Sequence, residues 1–235
     1  MNWLRLPILA KEIMAINYWA EFEYGEYYHL YNRSAGREPV FQQEQWVNFF
    51  QEKWEKLLSP YLDTLAYCYI PNHYHFLVRI KQEEDWPFEK LGLEKTRAAT
   101  ELRVGEGSMD AFLLDQFRRL LSGFSLSYNR RNNRQGPVFE QRFKRIKLRT
   151  TKRLWWQLCY IHHNPIHHNL AFDYETWPFC SYQTWQATNW ETLPPFLTWL
   201  GDSPEEAMDN FDRAHRSFRQ DWQENLPLDV DVDVQ

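Results

Sequence analysis

Leu-Asp-Thr-Leu-Ala-Tyr-Cys-Tyr-Ile-Pro-Asn-His-Tyr-His-Phe-Leu-Val-Arg-Ile, residues 62–80, contains two β-prone runs joined by a short break. The first run, Leu62 to Ile70, is rich in Leu, Tyr and Cys, and the second, His73 to Ile80, alternates in the manner of a paired strand. The Pro71-Asn72 pair interrupts them, as a turn does. This stretch therefore predicts two adjacent strands of one sheet.

The flanking segments extend the pattern in both directions. Before residue 132, the predicted elements are a strand at 27–32, a helix at 42–58, a connection with a short helix at 82–107 and a long helix at 109–131. After it come a strand at 143–148 and a helix that begins at Thr150 or Thr151 and runs to about His163, where Asn164-Pro165 ends it. An irregular stretch at 177–199 and a short helix at 203–220 follow. Their order predicts an α+β fold in which helices pack on an antiparallel sheet, and the ferredoxin-like arrangement fits best.

The composition is that of a globular protein, with 43% hydrophobic and 25% charged residues among 235. We expect an N-terminal lead-in at 1–26, one domain at 27–200, and an acidic C-terminal helix with a disordered tail at 201–235. The three cysteines are far apart, which favours a reducing compartment, and no apolar run approaches the roughly 20 residues of a membrane span. We therefore expect a cytoplasmic protein that does not enter a membrane.

The net charge of −5 conceals an uneven distribution. Residues 116–153 hold twelve Lys or Arg and one acid, about +11, whereas residues 202–235 carry about −7. A basic segment with interleaved aromatic residues is typical of a surface that binds a phosphate backbone, and a solvated helix face is the simpler alternative. The candidate contacts are Arg33, Arg130, Arg131, Arg134, Arg142, Lys144, Arg145, Lys147 and Arg149.

His73 and His75 lie two residues apart in the second predicted strand. Side chains at this spacing point to the same face, so the two imidazoles can bind one metal ion while Tyr74 and Phe76 face the other side. Taken alone, the pair is only moderately specific, because many such histidines are ordinary core or surface residues.

Tyr160 and Asn164 lie four residues apart in the last predicted helix of the domain and share one of its faces. If that face meets the histidine pair, the phenol is a nucleophile and the amide oxygen a third metal ligand. Otherwise Tyr160 is a buried ring and Asn164 a helix cap before proline. We interpret the nearby His162, His163, His167 and His168 as supporting, DNA-backbone or surface groups, since their spacing does not suit a single helical face.

The segment from Pro71 to Val78 resembles the HUH signature of the single-tyrosine transposases, in the branch of the REP-associated tyrosine transposases. Other segments resemble this family in order and spacing: 28–33, 128–131, 136–144, 160–165 and 177–182. The resemblance covers roughly residues 27–183 and leaves out the lead-in and the acidic tail.

The resemblance implies a role for each matched residue. His73 and His75 would bind a divalent ion, Mg²⁺ or Mn²⁺, with Asn164 as third ligand where a glutamine often stands in the wider group. Tyr160 would attack DNA to give a 5′-phosphotyrosine, and Tyr128 is the rival nucleophile. The substrate would be hairpin-associated single-stranded DNA, which the enzyme cleaves and rejoins as a monomer or a homodimer.

Three other functions stay open at this stage. The first is a domesticated, non-cleaving, sequence-specific DNA-binding protein on the same fold. The second is a metal-dependent hydrolase of small phosphoesters, which needs neither the basic segment nor Tyr160. The third is a scaffold in which the histidines are structural.

Overall fold

The computed structural model describes residues 16–87, 89 and 96–224. Its centre is a four-stranded antiparallel sheet of β1 (Tyr27–Arg33), β2 (Leu62–Ile70), β3 (His73–Ile80) and β4 (Lys144–Leu148) in the order β2-β3-β1-β4. The helices are α1 (Glu44–Leu57), α2 (Arg97–Arg103), α3 (Met109–Arg131), α4 (Thr151–His167), α5 (Tyr182–Gln186) and α6 (Pro204–Glu224). The predicted α+β fold is confirmed, and the strand order is that of a ferredoxin-like sheet.

Each face of the sheet has its own hydrophobic core. On one face, Tyr74 and Phe76 of β3 pack with aromatic residues of α1 and α3; the rings of Trp54 and Phe76 stack 3.7 Å apart. On the other face, α4 packs on β2 and β3, and α6 packs on α4. Because side chains alternate along a strand, His73 and His75 point to the α4 side.

The predicted helix that carries Tyr160 does not end at Asn164-Pro165, and this corrects the sequence analysis. It starts as expected, with the side chain of Thr150 accepting from the backbone N–H of Arg153, but it continues through Pro165 to His167. A proline removes one helical hydrogen bond and disfavours helical backbone before it. Here burial of Asn164 and Pro165 outweighs that local preference, and the His168 N–H closes the last turn on the Asn164 carbonyl, 3.0 Å away.

Both ends of the described chain pack against the domain. Phe22 belongs to the core of α1 and α3, and the backbone around Trp19 pairs with Arg145 at the outer edge of β4. The predicted short helix at 203–220 is the longer α6. Its Phe211 and Phe218 are buried in the hydrophobic core on the α4 side of the sheet. The predicted disordered tail at 226–235 and most of the lead-in lie outside the described residues, and the domain boundaries stay predictions.

No helix in the described parts of the chain combines the length and apolarity that crossing a membrane requires.

Candidate metal and nucleophile site

The two histidines of the Pro71 to Val78 motif lie side by side beneath α4. Both are buried, and their ring centroids are 5.0 Å apart with the planes nearly perpendicular. β3 is flanked by hydrogen-bonded strands on both sides, β1 and β2, so the backbone that carries the imidazoles is fixed. The predicted common face of His73 and His75 is present.

Each of these imidazoles has its Nδ1 atom held by a neighbour. His73 Nδ1 lies 2.8 Å from the Asn72 side-chain oxygen, and His75 Nδ1 lies 2.9 Å from His29 Nε2. An amide oxygen only accepts, so His73 donates from Nδ1 and its Nε2 carries the lone pair. His29 can accept from His75 in the same way. Such outer partners are what orient histidines that bind metals through Nε2.

Burial keeps both histidines neutral at physiological pH. It lowers the pKa of His73 well below its ordinary value, with positive charge on His75, His168 and Arg33 acting in the same direction. It lowers the pKa of His75 to about 3, again with help from His168 and Arg33. Neutral imidazole is the form that binds a metal ion, so no proton has to be removed first.

Tyr160 lies on α4 against the same histidines. Its ring centroid is 5.7 Å from that of His75 and 6.4 Å from that of His29, both edge to face. Trp156, one helical turn earlier, stacks on it at 5.0 Å, and Trp222 of α6 lies 6.4 Å away. These rings leave only 3% of Tyr160 exposed.

Asn164 lies one turn further along α4. Its Nδ2 donates to the Tyr160 carbonyl over 3.2 Å, which fixes the amide plane. The opposite atom, Oδ1, is buried and makes no hydrogen bond with any described residue. The same holds for His73 Nε2, and the amide of Asn164 is near enough to His73 to oppose the lowering of its pKa. Asn164 Oδ1 and His73 Nε2 are therefore two buried polar atoms that lie close together.

The donor set fits a divalent ion with two nitrogen ligands and an amide oxygen. Within residues 16–87, 89 and 96–224 no three His, Cys, Asp or Glu side chains are grouped to hold a metal. A site at His73 and His75 consequently needs an oxygen such as Asn164 Oδ1 as its third protein ligand. These ligand assignments stay predictions.

The four histidines near the end of α4 point in three directions. His168 approaches His73, with ring centroids 5.1 Å apart. The ring centroids of His163 and His167 lie 5.2 and 4.9 Å from that of Trp222. His162 is buried in a network of its own, 2.8 Å from His215 of α6 and 2.9 Å from the Ser181 hydroxyl. The prediction that they share no single helical face is confirmed.

Tyr128, the rival nucleophile, packs on the opposite face of the sheet. It lies on α3 with its ring 4.7 Å from Trp46 and 6.0 Å from Phe124, both in the core of α1 and α3. The sheet therefore separates Tyr128 from the histidine pair.

The candidate DNA-binding residues fall into three groups. Arg134, Arg145 and Lys147 form ion pairs inside the chain, with Glu38 at 2.7 Å, Asp110 at 2.9 Å and Glu23 at 2.8 Å respectively. Arg33 and Lys144 line a small pocket together with His73. The remaining candidates are exposed: Arg130, Arg131, Arg142 and Arg149. The first group forms ion pairs within the fold, and the assignment of the second and third groups to DNA stays a prediction.

His29 and Asn72, the partners of the two histidines, were not among the predicted site residues. Asn72 directly precedes His73 within the Pro71 to Val78 motif, and His29 lies in the 28–33 segment that resembles the family. The signal available was the alternation of His29, Tyr31 and Arg33, which places all three on one face of β1.

Comparison with known proteins supports the resemblance seen in the motifs. A Haemophilus influenzae protein with the provisional name REP-associated tyrosine transposase is 25% identical over 140 residues, which are 58% of this chain and 69% of that protein. No protein-family model matches the chain.

A solved structure of a REP-associated tyrosine transposase bound to a REP hairpin shares the fold, with a TM-score of 0.53 at 16% sequence identity. The match covers 76% of this chain and 88% of that one. By its sequence motifs and its fold, the chain is similar to the REP-associated tyrosine transposases.

Proposed function

We propose that this chain is a metal-dependent endonuclease and strand transferase, a transposase that cleaves and rejoins hairpin-associated single-stranded DNA through Tyr160. One observation carries the proposal: Tyr160 packs against the histidine pair, with its ring centroid 5.7 Å from that of His75. The Nδ1 atoms of both histidines are held by neighbouring side chains. The name of the Haemophilus relative and the hairpin bound by the structural neighbour support DNA as the substrate.

His73, His75 and Asn164 would hold the metal ion, Mg²⁺ or Mn²⁺. When bound, such an ion supplies Lewis acidity at a non-bridging phosphate oxygen and a fixed position for the scissile phosphate. The Asn164 amide is held by its bond to the Tyr160 carbonyl, so ligand and nucleophile keep a constant spacing on α4.

The side chains of the site have separate tasks in the proposed reaction. The phenol oxygen of Tyr160 loses its proton and attacks phosphorus, a tyrosyl–phosphate bond forms, and the bond to the 3′ oxygen breaks. The leaving oxygen takes up a proton and becomes a 3′-hydroxyl. Attack by a second 3′-hydroxyl reverses the step and joins a different strand, with Tyr160 released. Arg33 and Lys144, which line the pocket beside His73, would hold neighbouring phosphates.

The test is covalent capture. The protein is incubated with labelled single-stranded hairpin DNA and Mn²⁺, and adducts are separated on a denaturing gel. We expect an adduct with the wild type and with Tyr128→Phe, and none with Tyr160→Phe. An adduct that survives Tyr160→Phe and disappears with Tyr128→Phe would contradict the assignment of the nucleophile.

One observation favours the alternative of a non-cleaving, sequence-specific DNA-binding protein. Tyr160 is only 3% exposed, beneath Trp156 and Trp222, so the conformation described does not offer its oxygen to a phosphate. Hairpin binding without an adduct under Mg²⁺ and under Mn²⁺ would establish that alternative.

A further inference from the structure

A cavity of about 590 Å³ lies between α3 and the segment that leads into β4. Its walls are Leu121 and Ser122 of α3, the ring of Phe143, and Trp19 at the outer edge of the sheet. The volume is in the range of roughly 300–1,000 Å³ that small-molecule ligands occupy in proteins. Trp19 is 52% exposed, which is unusual for so large an apolar ring.

The charged groups of this cavity are mostly cationic. Arg118 and Arg142 line it from α3 and from the loop before β4, and Glu140 is the acid among the lining residues. Arg142 is exposed, and Arg118 is largely exposed although it pairs with Asp115. Exposed aromatic faces with guanidinium groups beside them are the surfaces on which unpaired bases stack.

We infer that this cavity binds an unpaired nucleobase of a single-stranded DNA substrate. The base stacks on Trp19 and Phe143, and Arg142 meets the adjoining phosphate. The Glu140 carboxylate can accept from an amino group on the base edge, as acidic side chains do for cytosine. The inference rests on the proposed function in its choice of DNA as the ligand and in the position of a phosphate at His73.

The cavity adjoins the small pocket beside His73. Glu140 lines both this cavity and the small pocket that contains His73 and Arg33. Lys144 lines that small pocket, with its ammonium group 5.2 Å from the centroid of the Tyr31 ring. A strand whose phosphate reaches His73 can cross the segment 140–144 and place a base in the cavity, with Lys144 beside its backbone.

The experiment uses the full chain and a pool of random-sequence single strands that carry 5-iodouracil in place of thymine. This base forms a photochemical cross-link to an aromatic ring on which it stacks. We expect cross-linked peptides that contain Trp19 or Phe143. Cross-links confined to other parts of the chain would overturn the inference.

Variants test the same cavity through affinity for the pool. Loss of one base–aromatic stack in Trp19→Ala is expected to weaken binding about fivefold to a hundredfold. Ser122→Trp, which fills the cavity from the exposed side of α3, is expected to weaken it similarly. Leu126→Ala is the control, because it removes an exposed apolar side chain of α3 that does not line the cavity. Equal affinity for all four proteins would refute the inference.

The outcomes separate this inference from the proposed function. A Tyr160 adduct without cross-links in the cavity overturns the inference and leaves the function standing. Cross-links in the cavity without an adduct support the inference and favour the non-cleaving alternative. A change of oligomeric state in Trp19→Ala, with DNA binding unaffected, would assign the cavity to contacts between copies of the chain and reject the inference.

Discussion

His29 on β1 and His75 on β3 lie with Nε2 and Nδ1 2.9 Å apart, and their rings are nearly parallel. The contact is buried, so no water competes for it. An imidazole held in this way presents its other nitrogen in a fixed direction. A residue without a role in the sequence analysis thus orients the proposed metal ligand.

The first prediction concerns the effect of removing His29, the partner of His75, on metal binding. His29→Phe keeps a ring of similar size but removes the acceptor, so we expect Mn²⁺ affinity to fall about tenfold to a hundredfold. His29→Gln, whose amide oxygen still accepts, should lose less. Calorimetric titration with Mn²⁺ measures both variants. Wild-type affinity in folded His29→Phe would show that the contact does not support metal binding.

The third ligand provides the second prediction. Asn164→Leu removes the buried amide oxygen and is expected to lower Mn²⁺ affinity by about tenfold or more, whereas His168→Ala should have the smaller effect. His168 is the matched control because it also lies next to His73. Electron paramagnetic resonance of free Mn²⁺ gives the bound fraction. The reverse ranking would identify His168 as the ligand in place of Asn164.

The third prediction concerns the salt dependence of DNA binding. Lys144 lines the pocket beside His73, whereas Arg134 is paired with Glu38 and also donates to Asn129 and Pro137. Each phosphate contact to a single strand adds about −0.7 to the slope of log K against log salt. Lys144→Ala is therefore expected to flatten the slope by about that amount, and Arg134→Ala to leave it unchanged. Fluorescence anisotropy across a salt series measures it, and equal slopes for the wild type and Lys144→Ala would exclude Lys144 as a phosphate contact.

The fourth prediction concerns the histidine network that joins α4 to α6. Burial lowers the pKa of His215 to about 4 and that of His163 to about 3, and it places the pKa of His162 well below its ordinary value. The unfolded chain therefore binds more protons than the folded one below about pH 6.5. The stability that these neutral imidazoles confer is complete above that pH and is lost as the pH falls towards the folded pKa values.

Urea unfolding of the metal-free protein at a series of pH values checks this. We expect the midpoint to drop between about pH 6.5 and 4. His215→Gln, which cannot titrate, should show a shallower drop. A wild-type midpoint that stays constant over this interval would contradict the prediction.

Packing of α6 provides the fifth prediction. Phe211 is fully buried against α4, so Phe211→Ala is expected to cost about 3–5 kcal/mol in the free energy of unfolding. Phe172 is 89% exposed, and Phe172→Ala should change the free energy of unfolding by less than about 0.5 kcal/mol. Urea unfolding at neutral pH compares the two, and a similar cost for both would mean that α6 adds little to stability.

The strands were predicted well because the residues at which a strand begins and ends depend on the sequence close by. The Pro71-Asn72 turn marks the boundary between β2 and β3, and the two-residue period places His73 and His75 on one face. The end of α4 was mispredicted because the effect of Pro165 on the backbone is local, whereas the burial that overrides it comes from tertiary packing.

The site itself was only partly predictable. His73, His75, Tyr160 and Asn164 form two short motifs, and the structure brings the two together. The His29 contact depends on the pairing of β1 with β3, 46 residues away, and the Arg145 ion pair on Asp110, 35 residues away. Spacing along the chain carries no information about such pairs, so Arg145 and an exposed arginine look alike in sequence.

The path of α4 across its own sheet has a consequence for kinetics. Tyr160 and Asn164 come from the same chain as the histidines that they face, so one molecule contains every group of the proposed site. Adduct formation should therefore follow first-order dependence on protein, with the yield per molecule unchanged on dilution. A mixture of Tyr160→Phe and His75→Ala proteins, each lacking a different group, should fail to complement.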